Sequence, residues 1–154
     1  MTRKPYSWKN GPDLIQQHSL AKHRILQAYL AAYFQTLVSS PNQNVLRLTL
    51  VDGFAGGGQY IDSDTGKLVK GSPLICLNAT REAEFLINKD RRKPVKLDVS
   101  YFFIENDHHA YLHLEKVLRD KGYEVELNKS IYLRNAKFQD ESDSIIQFIK
   151  KKSP

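Results

Sequence analysis

The sequence predicts an α/β domain built on a parallel sheet. Short apolar runs alternate with helical patterns along the chain. The first run, Val45, Leu46, Leu48, Leu50 and Val51, closes on Asp52 and gives way at once to Gly53-Phe54-Ala55-Gly56-Gly57-Gly58. A later run, Val99 and Tyr101 to Ile104, closes on Glu105. A strand that ends in a carboxylate and then bare backbone is how an α/β fold presents a nucleotide-like ligand at the carboxyl edge of its sheet. Glycine takes positive φ and admits a ligand where a Cβ would collide. The loop alone does not specify a ligand, because many tight turns are glycine-rich.

The elements follow in order. Residues 1–12 are polar and broken by Pro5, Gly11 and Pro12, which predicts an arm anchored only by Trp8. Asp13 then N-caps a long helix to about Val38, with Leu14, Ala21, Ile25, Tyr29, Leu30, Tyr33, Phe34 and Leu37 at helical spacing. Ser39-Ser40-Pro41-Asn42 stops it. On this helix His18, Lys22 and His23 read as a solvated edge. After the glycines, Tyr60-Ile61 and Lys67-Leu68-Val69 flank a turn at Gly66, which reads as a small hairpin. Ser72 as N-cap and Pro73 at the first helical position open a second helix to about Ile87. Asp90 to Pro94 is a basic loop leading to the second strand. Asn106 or Asp107 caps a third helix carrying Ala110, Tyr111, Leu114, Val117 and Leu118, with Gly122 at its C-terminal cap. Tyr123, Val125 and Leu127 alternate with Glu124 and Glu126, so they predict a third, half-exposed strand. Tyr132 to Phe138 reads as a loop, and Asp140 starts a last helix. Strand–helix alternation of this kind implies right-handed parallel crossovers.

Composition bounds the function. The chain has 154 residues, 41% hydrophobic and 26% charged, which fits one globular domain or part of one. No apolar stretch approaches the roughly 18 residues of a membrane span, and no apolar run follows the N-terminus as a secretory leader requires. One cysteine, Cys76, permits neither an internal disulfide nor an all-cysteine metal site and reads as core filler. A cytoplasmic location is expected. The net charge of +6 permits an acidic partner such as nucleic acid. Only Arg91-Arg92-Lys93 and Lys150-Lys151-Lys152 cluster, however, in places where solvated loops or helix ends also carry cations.

Spacing tests the glycine loop against known chemistries. A phosphate-binding P-loop needs Lys-Ser/Thr after its last glycine, where this chain has Gln59-Tyr60. A dinucleotide fingerprint counted from Gly56 and Gly58 needs a small third residue, where this chain has Ile61; that disfavours a nicotinamide-dependent oxidoreductase. His108, His109 and His113 share a helix without an arranged carboxylate or cysteine, so they read as a solvated face and no metal is expected.

Asp52-Gly-Phe-Ala-Gly-Gly-Gly58 resembles the first motif of class I S-adenosylmethionine-dependent methyltransferases, in the form Asp-x-Phe-x-Gly-x-Gly. More narrowly, the chain from about residue 7 to 140 resembles the bacterial three-Cys-motif partner proteins. The matching pieces are Lys22-His23 with Ile25, Leu26 and Tyr29, then Val51 to Tyr60, Gly71-Ser-Pro-Leu74 and Phe103-Ile-Glu105. The resemblance implies a Rossmann-like fold and adenosylmethionine as cofactor, with a three-Cys-motif protein as partner. Residues 13–154 would be the cofactor-binding half of the domain. The implied cofactor residues are Asp52, Phe54, Ala55, Gly56, Gly57, Gly58, Glu105 and Asn135.

The chemistry agrees with that implication. Amides around Gly56 to Gly58 suit the ligand's carboxylate. Asp52 would lie near its amino group, and Glu105 would accept both ribose hydroxyls. Asn135 falls where the family contacts adenine, and Phe138 reads either as a second contact or as core. Asp52 as a mere loop cap, and Glu105 as an ordinary strand-end acid, stay open. The family's fold continues to a fourth strand carrying the acceptor-binding motif, so the expectation here is an incomplete fold: helix, then β-α-β-α-β-α. It would be inactive by itself, with an unpaired edge on the first strand that invites self-association or a covering partner. The rival reading is a non-catalytic basic module binding nucleic acid or a protein.

Overall fold

The computed structural model describes residues 5–38 and 40–152. The first four residues of the expected arm, Ser39 of the expected helix stop and the last two residues lie outside that range. Four α-helices and five strands follow one another as α1 (Gln17–Leu37), β1 (Val45–Asp52), β2 (Gln59–Ile61), β3 (Leu68–Lys70), α2 (Ser72–Asn88), β4 (Lys96–Ile104), α3 (His108–Asp120), β5 (Ile131–Arg134) and α4 (Phe138–Lys152). A 3-10 turn, Glu124–Glu126, lies between α3 and β5.

The main sheet is parallel, in the order β1-β4-β5, and β2 and β3 form a separate antiparallel hairpin. The architecture is α/β and compatible with a Rossmann-like fold. Helices α1, α2 and α3 share one core with the near face of the sheet: Leu30, Phe34, Leu77, Leu114 and Leu118 meet Val99, Tyr101, Phe103 and Ile131. On the far face, α4 buries Ile145 against Phe102 and Ile104, with Tyr132 and Phe148 beside them. Strand β4 is therefore covered on both faces, which is why its carboxyl end, residues 101–104, reads as an unbroken apolar run. Strand β1 pairs only with β4 among the described residues, and its core-facing Leu46, Leu48 and Leu50 stay partly exposed.

Several sequence expectations are corrected. The third strand is Ile131–Arg134, and Tyr123–Leu127 is not a strand. Tyr123 is buried beneath the Arg81 guanidinium, 4.3 Å from its ring centre, while Val125 is 68% exposed in the 3-10 turn. Asn128 at φ 64° then reverses the chain into β5. There Ile131 and Leu133 face the α3 side while Tyr132 stacks on Phe102 at 4.9 Å. Both faces of β5 are occupied by large side chains, so it lacks the polar alternation sought in the sequence.

Helix α1 begins at Gln17, not just after Asp13. The Asp13 carboxylate instead accepts from the amides of Ser7 (2.8 Å) and Leu14 (2.9 Å), and residues 13–15 run extended beside Ile61. The buried seam of α1 is also rotated from the expected stripe. His23, Leu26, Leu30, Phe34 and Leu37 face inward, whereas Ile25 and Tyr29 are 69% and 61% exposed. In α2 the N-cap is Gly71, and Ser72 is already helical. Helix α4 starts at Phe138, two residues before Asp140, with Asp140 and Glu141 in its first turn and Lys150 to Lys152 in its last, as the helix dipole favours. No described helix is long and apolar enough to cross a membrane.

Candidate functional site at the carboxyl edge of the sheet

The register of β1 on β4 sets Asp52 beside Phe103, so Glu105 leaves its strand at the same edge, just past the glycine loop. The loop is drawn onto β4 by two bonds. The Ala55 amide donates to the Ile104 carbonyl (3.0 Å), and the Gly56 amide donates to Glu105 Oε2 (2.9 Å). Glu105 Oε1 accepts from the Asp107 amide (3.2 Å). Asp107 in turn caps α3, accepting from the His109 amide. Thus Glu105 is held by one N–H on each oxygen and is only half buried. A carboxylate has about four lone-pair positions, so each oxygen keeps a place for another donor.

Asp52 is anchored in the same manner. Its Oδ1 accepts from the Phe54 amide (3.1 Å), and its Oδ2 accepts a short bond from the Ser72 hydroxyl at the start of α2. The positive end of the helix dipole favours a carboxylate there. Phe54 projects from the loop between the two acids in sequence, 86% exposed. Asn135 lies across from Glu105: its Nδ2 donates to the carbonyls of Glu105 (2.9 Å) and Asn106 (3.2 Å), and its Oδ1 accepts from His108 Nδ1 (3.0 Å). It ties the ends of β4 and β5 together. Phe138 is 40% exposed and lies over Gly53, where an added Cβ would come within 2.9 Å of its ring.

The glycine positions are occupied by the protein's own side chains. Gly57 has no room for a methyl group, because the indole of Trp8 rests directly on it. Trp8 Nε1 donates to the Gln59 carbonyl (3.2 Å), and its ring packs with Tyr6 and Tyr60 at 5.7 and 5.4 Å. Gly56, at φ +72°, lies under the Tyr60 hydroxyl. Ala55 is 1% exposed and belongs to the core. Bare main chain open to a ligand's carboxylate is corrected at two positions only: the Gly56 amide is taken by Glu105, and the surface of Gly57 by Trp8. Nor is Trp8 the sole anchor of the arm, since the Tyr6 hydroxyl donates to Ser19 Oγ (2.9 Å) and accepts from the Gln16 amide (3.0 Å).

Two histidines read as solvated are not. His113 donates from Nδ1 to the Gly57 carbonyl and fixes the loop from α3. His23 sits in the α1 seam with its ring 5.9 Å from that of Tyr60, and burial lowers its pKa from the ordinary 6.5 against the opposing pull of Asp52. A helical-phase reading that put His23 in line with Leu26 and Leu30 finds it; the more conspicuous Ile25 and Tyr29 mask that phase. Among the described residues no group of three His, Cys, Asp or Glu side chains is placed to hold a metal ion. The basic cluster at Arg91 is partly structural as well. Its Nη2 donates to the carbonyls of Ser40, Pro41 and Gln43 at 2.9–3.2 Å, clamping the turn before β1.

Compared with family models, curated proteins and solved structures, the chain matches none of them.

Proposed function

We propose that this chain is the S-adenosylmethionine-binding part of a methyltransferase-like protein of the three-Cys-motif partner kind, with the cofactor lodged between Asp52, Phe54 and Glu105. The observation that supports it most is the pairing of two anchored carboxylates at adjacent parallel strand ends, joined by the Gly56–Glu105 bond (2.9 Å). An adenosylmethionine molecule offers a ribose diol, an ammonium and a sulfonium, and no phosphate. Glu105, with one vacant lone-pair position on each oxygen, suits the diol. Asp52 suits the ammonium, and the exposed Phe54 ring offers an apolar and cation-attracting surface. Two carboxylates beside a Gly56 amide that is already engaged disfavour phosphate ligands by the same logic.

When bound, adenosylmethionine supplies an electrophilic methyl group. The named residues bind and orient it, and none is assigned to the methyl acceptor. Transfer is an in-line displacement governed by positioning. Calorimetry with adenosylmethionine tests the reading: wild type should give a saturable heat that Glu105→Ala abolishes. A heat unchanged by Glu105→Ala, or none at millimolar ligand, overturns it. The rival reading, a basic module that binds nucleic acid, draws on the net charge of +6 and the exposed Arg92, Lys93 and Lys150 to Lys152. It is favoured instead if duplex DNA binds with a steep salt dependence.

A further inference from the structure

An amino-acid ligand carries a carboxylate beside its ammonium, and three amides of the loop are already engaged. The amides of Phe54, Ala55 and Gly56 donate to Asp52, Ile104 and Glu105, and Asp52 already stands at the start of α2. Helix α1 brings one side chain that answers this need. His23 faces Tyr60, whose hydroxyl stands over Gly56, at the same end of the sheet as Asp52. Its Nδ1 is buried with no hydrogen-bond partner, while the residue as a whole is half exposed. The ring edge that reaches outward is therefore the one carrying Nε2.

The tautomer follows from that burial. An orphaned N–H is rarer and costlier than an orphaned lone pair, so the ring places its proton on Nε2 and leaves the bare lone pair inside. Burial also lowers the pKa of the ring, so it is neutral at pH 7 and carries this single N–H. A neutral donor at the same end of the sheet as Asp52 complements a zwitterion: the acid takes the ammonium and the imidazole N–H takes the carboxylate.

We propose that His23 is a specificity-determining residue at this edge of the sheet, donating Nε2–H to the carboxylate of an α-amino-acid ligand end. The proposal rests on the adenosylmethionine reading and adds to it a demand for an intact amino-acid carboxylate. The ligand pair that tests it is S-adenosylmethionine and its decarboxylated analogue, titrated calorimetrically into the full chain. Wild type should bind the intact cofactor about tenfold tighter than the analogue, the scale of one charge-assisted hydrogen bond. His23→Phe should erase that margin by weakening the intact cofactor alone, and His23→Gln, which keeps an N–H donor, should retain part of it. Equal affinities in wild type, or equal weakening of both ligands by His23→Phe, overturn the role of His23 and leave the adenosylmethionine reading standing. Binding of neither ligand overturns both. Should His23→Phe fail to fold, His23→Leu takes its place, and a margin that it leaves unchanged overturns the role of His23.

Discussion

Gly57 shows how a residue legible in the sequence changes meaning in the fold. A run of glycines signals close approach to backbone, and close approach is what occurs, but the approaching group is the indole of Trp8. Gly57→Ala must displace that indole, and overpacking of this kind costs about 1–3 kcal/mol; a drop in thermal midpoint with quenched or shifted tryptophan emission checks it, since Trp8 is the only tryptophan. The two strand-end acids were legible, because each closes an apolar run. The roles of His23 and His113 were not, nor was the seat of the anchoring Trp8 on Gly57, since these depend on contacts between segments distant in the chain. Burial of Cys76 pushes its thiol up to about 12, so it should stay unmodified by thiol reagents in the folded protein and react on unfolding. His23 makes stability depend on pH. Its pKa is lower folded than the unfolded 6.5, so its contribution is complete above pH 6.5 and is lost as pH falls from there toward the depressed value. Urea unfolding from pH 7.5 to 5 should show that loss, and His23→Phe should reduce it.

At the scale of elements, β1, β4, α2 and α3 announce themselves through apolar periodicity and a capping aspartate, and the structure places them within a few residues of expectation. Alternation is the mark of a half-exposed edge strand, and it puts the third strand in the wrong place. Tyr123, Val125 and Leu127 do alternate, but one is buried by a helix C-terminal turn and another points to solvent. Strand β5 lies between α3 and α4, so large residues occupy both its faces and no alternation appears. This assigns opposite outcomes to two substitutions. Ile131→Ala removes a side chain 1% exposed and should cost about 2–5 kcal/mol. Val125→Ala, at a position 68% exposed, should stay within about 0.5 kcal/mol. Chemical denaturation of both variants checks the assignment, and equal effects would restore 123–127 as the strand.

For the molecule as a whole, strand–helix alternation was enough to read a parallel sheet with neighbouring strands adjacent, and the order β1-β4-β5 agrees. Which side chains meet at its carboxyl edge was legible only as far as the two acids, because the register of β1 on β4 fixes the rest. The outer edge of β1 has no strand beside it among the described residues, and Val51 there is 39% exposed. An edge of this kind invites further pairing, so sedimentation at rising concentration should show self-association that Val51→Lys weakens. The central claim is that the strand ends carrying Asp52 and Glu105 take adenosylmethionine. Backbone amide spectra recorded while the cofactor is added test it most directly. The resonances of Phe54, Gly56 and Glu105 should move together and saturate, with those of Val125 and Lys150 fixed; no movement at millimolar cofactor, or movement confined to Arg91–Lys93, would contradict it.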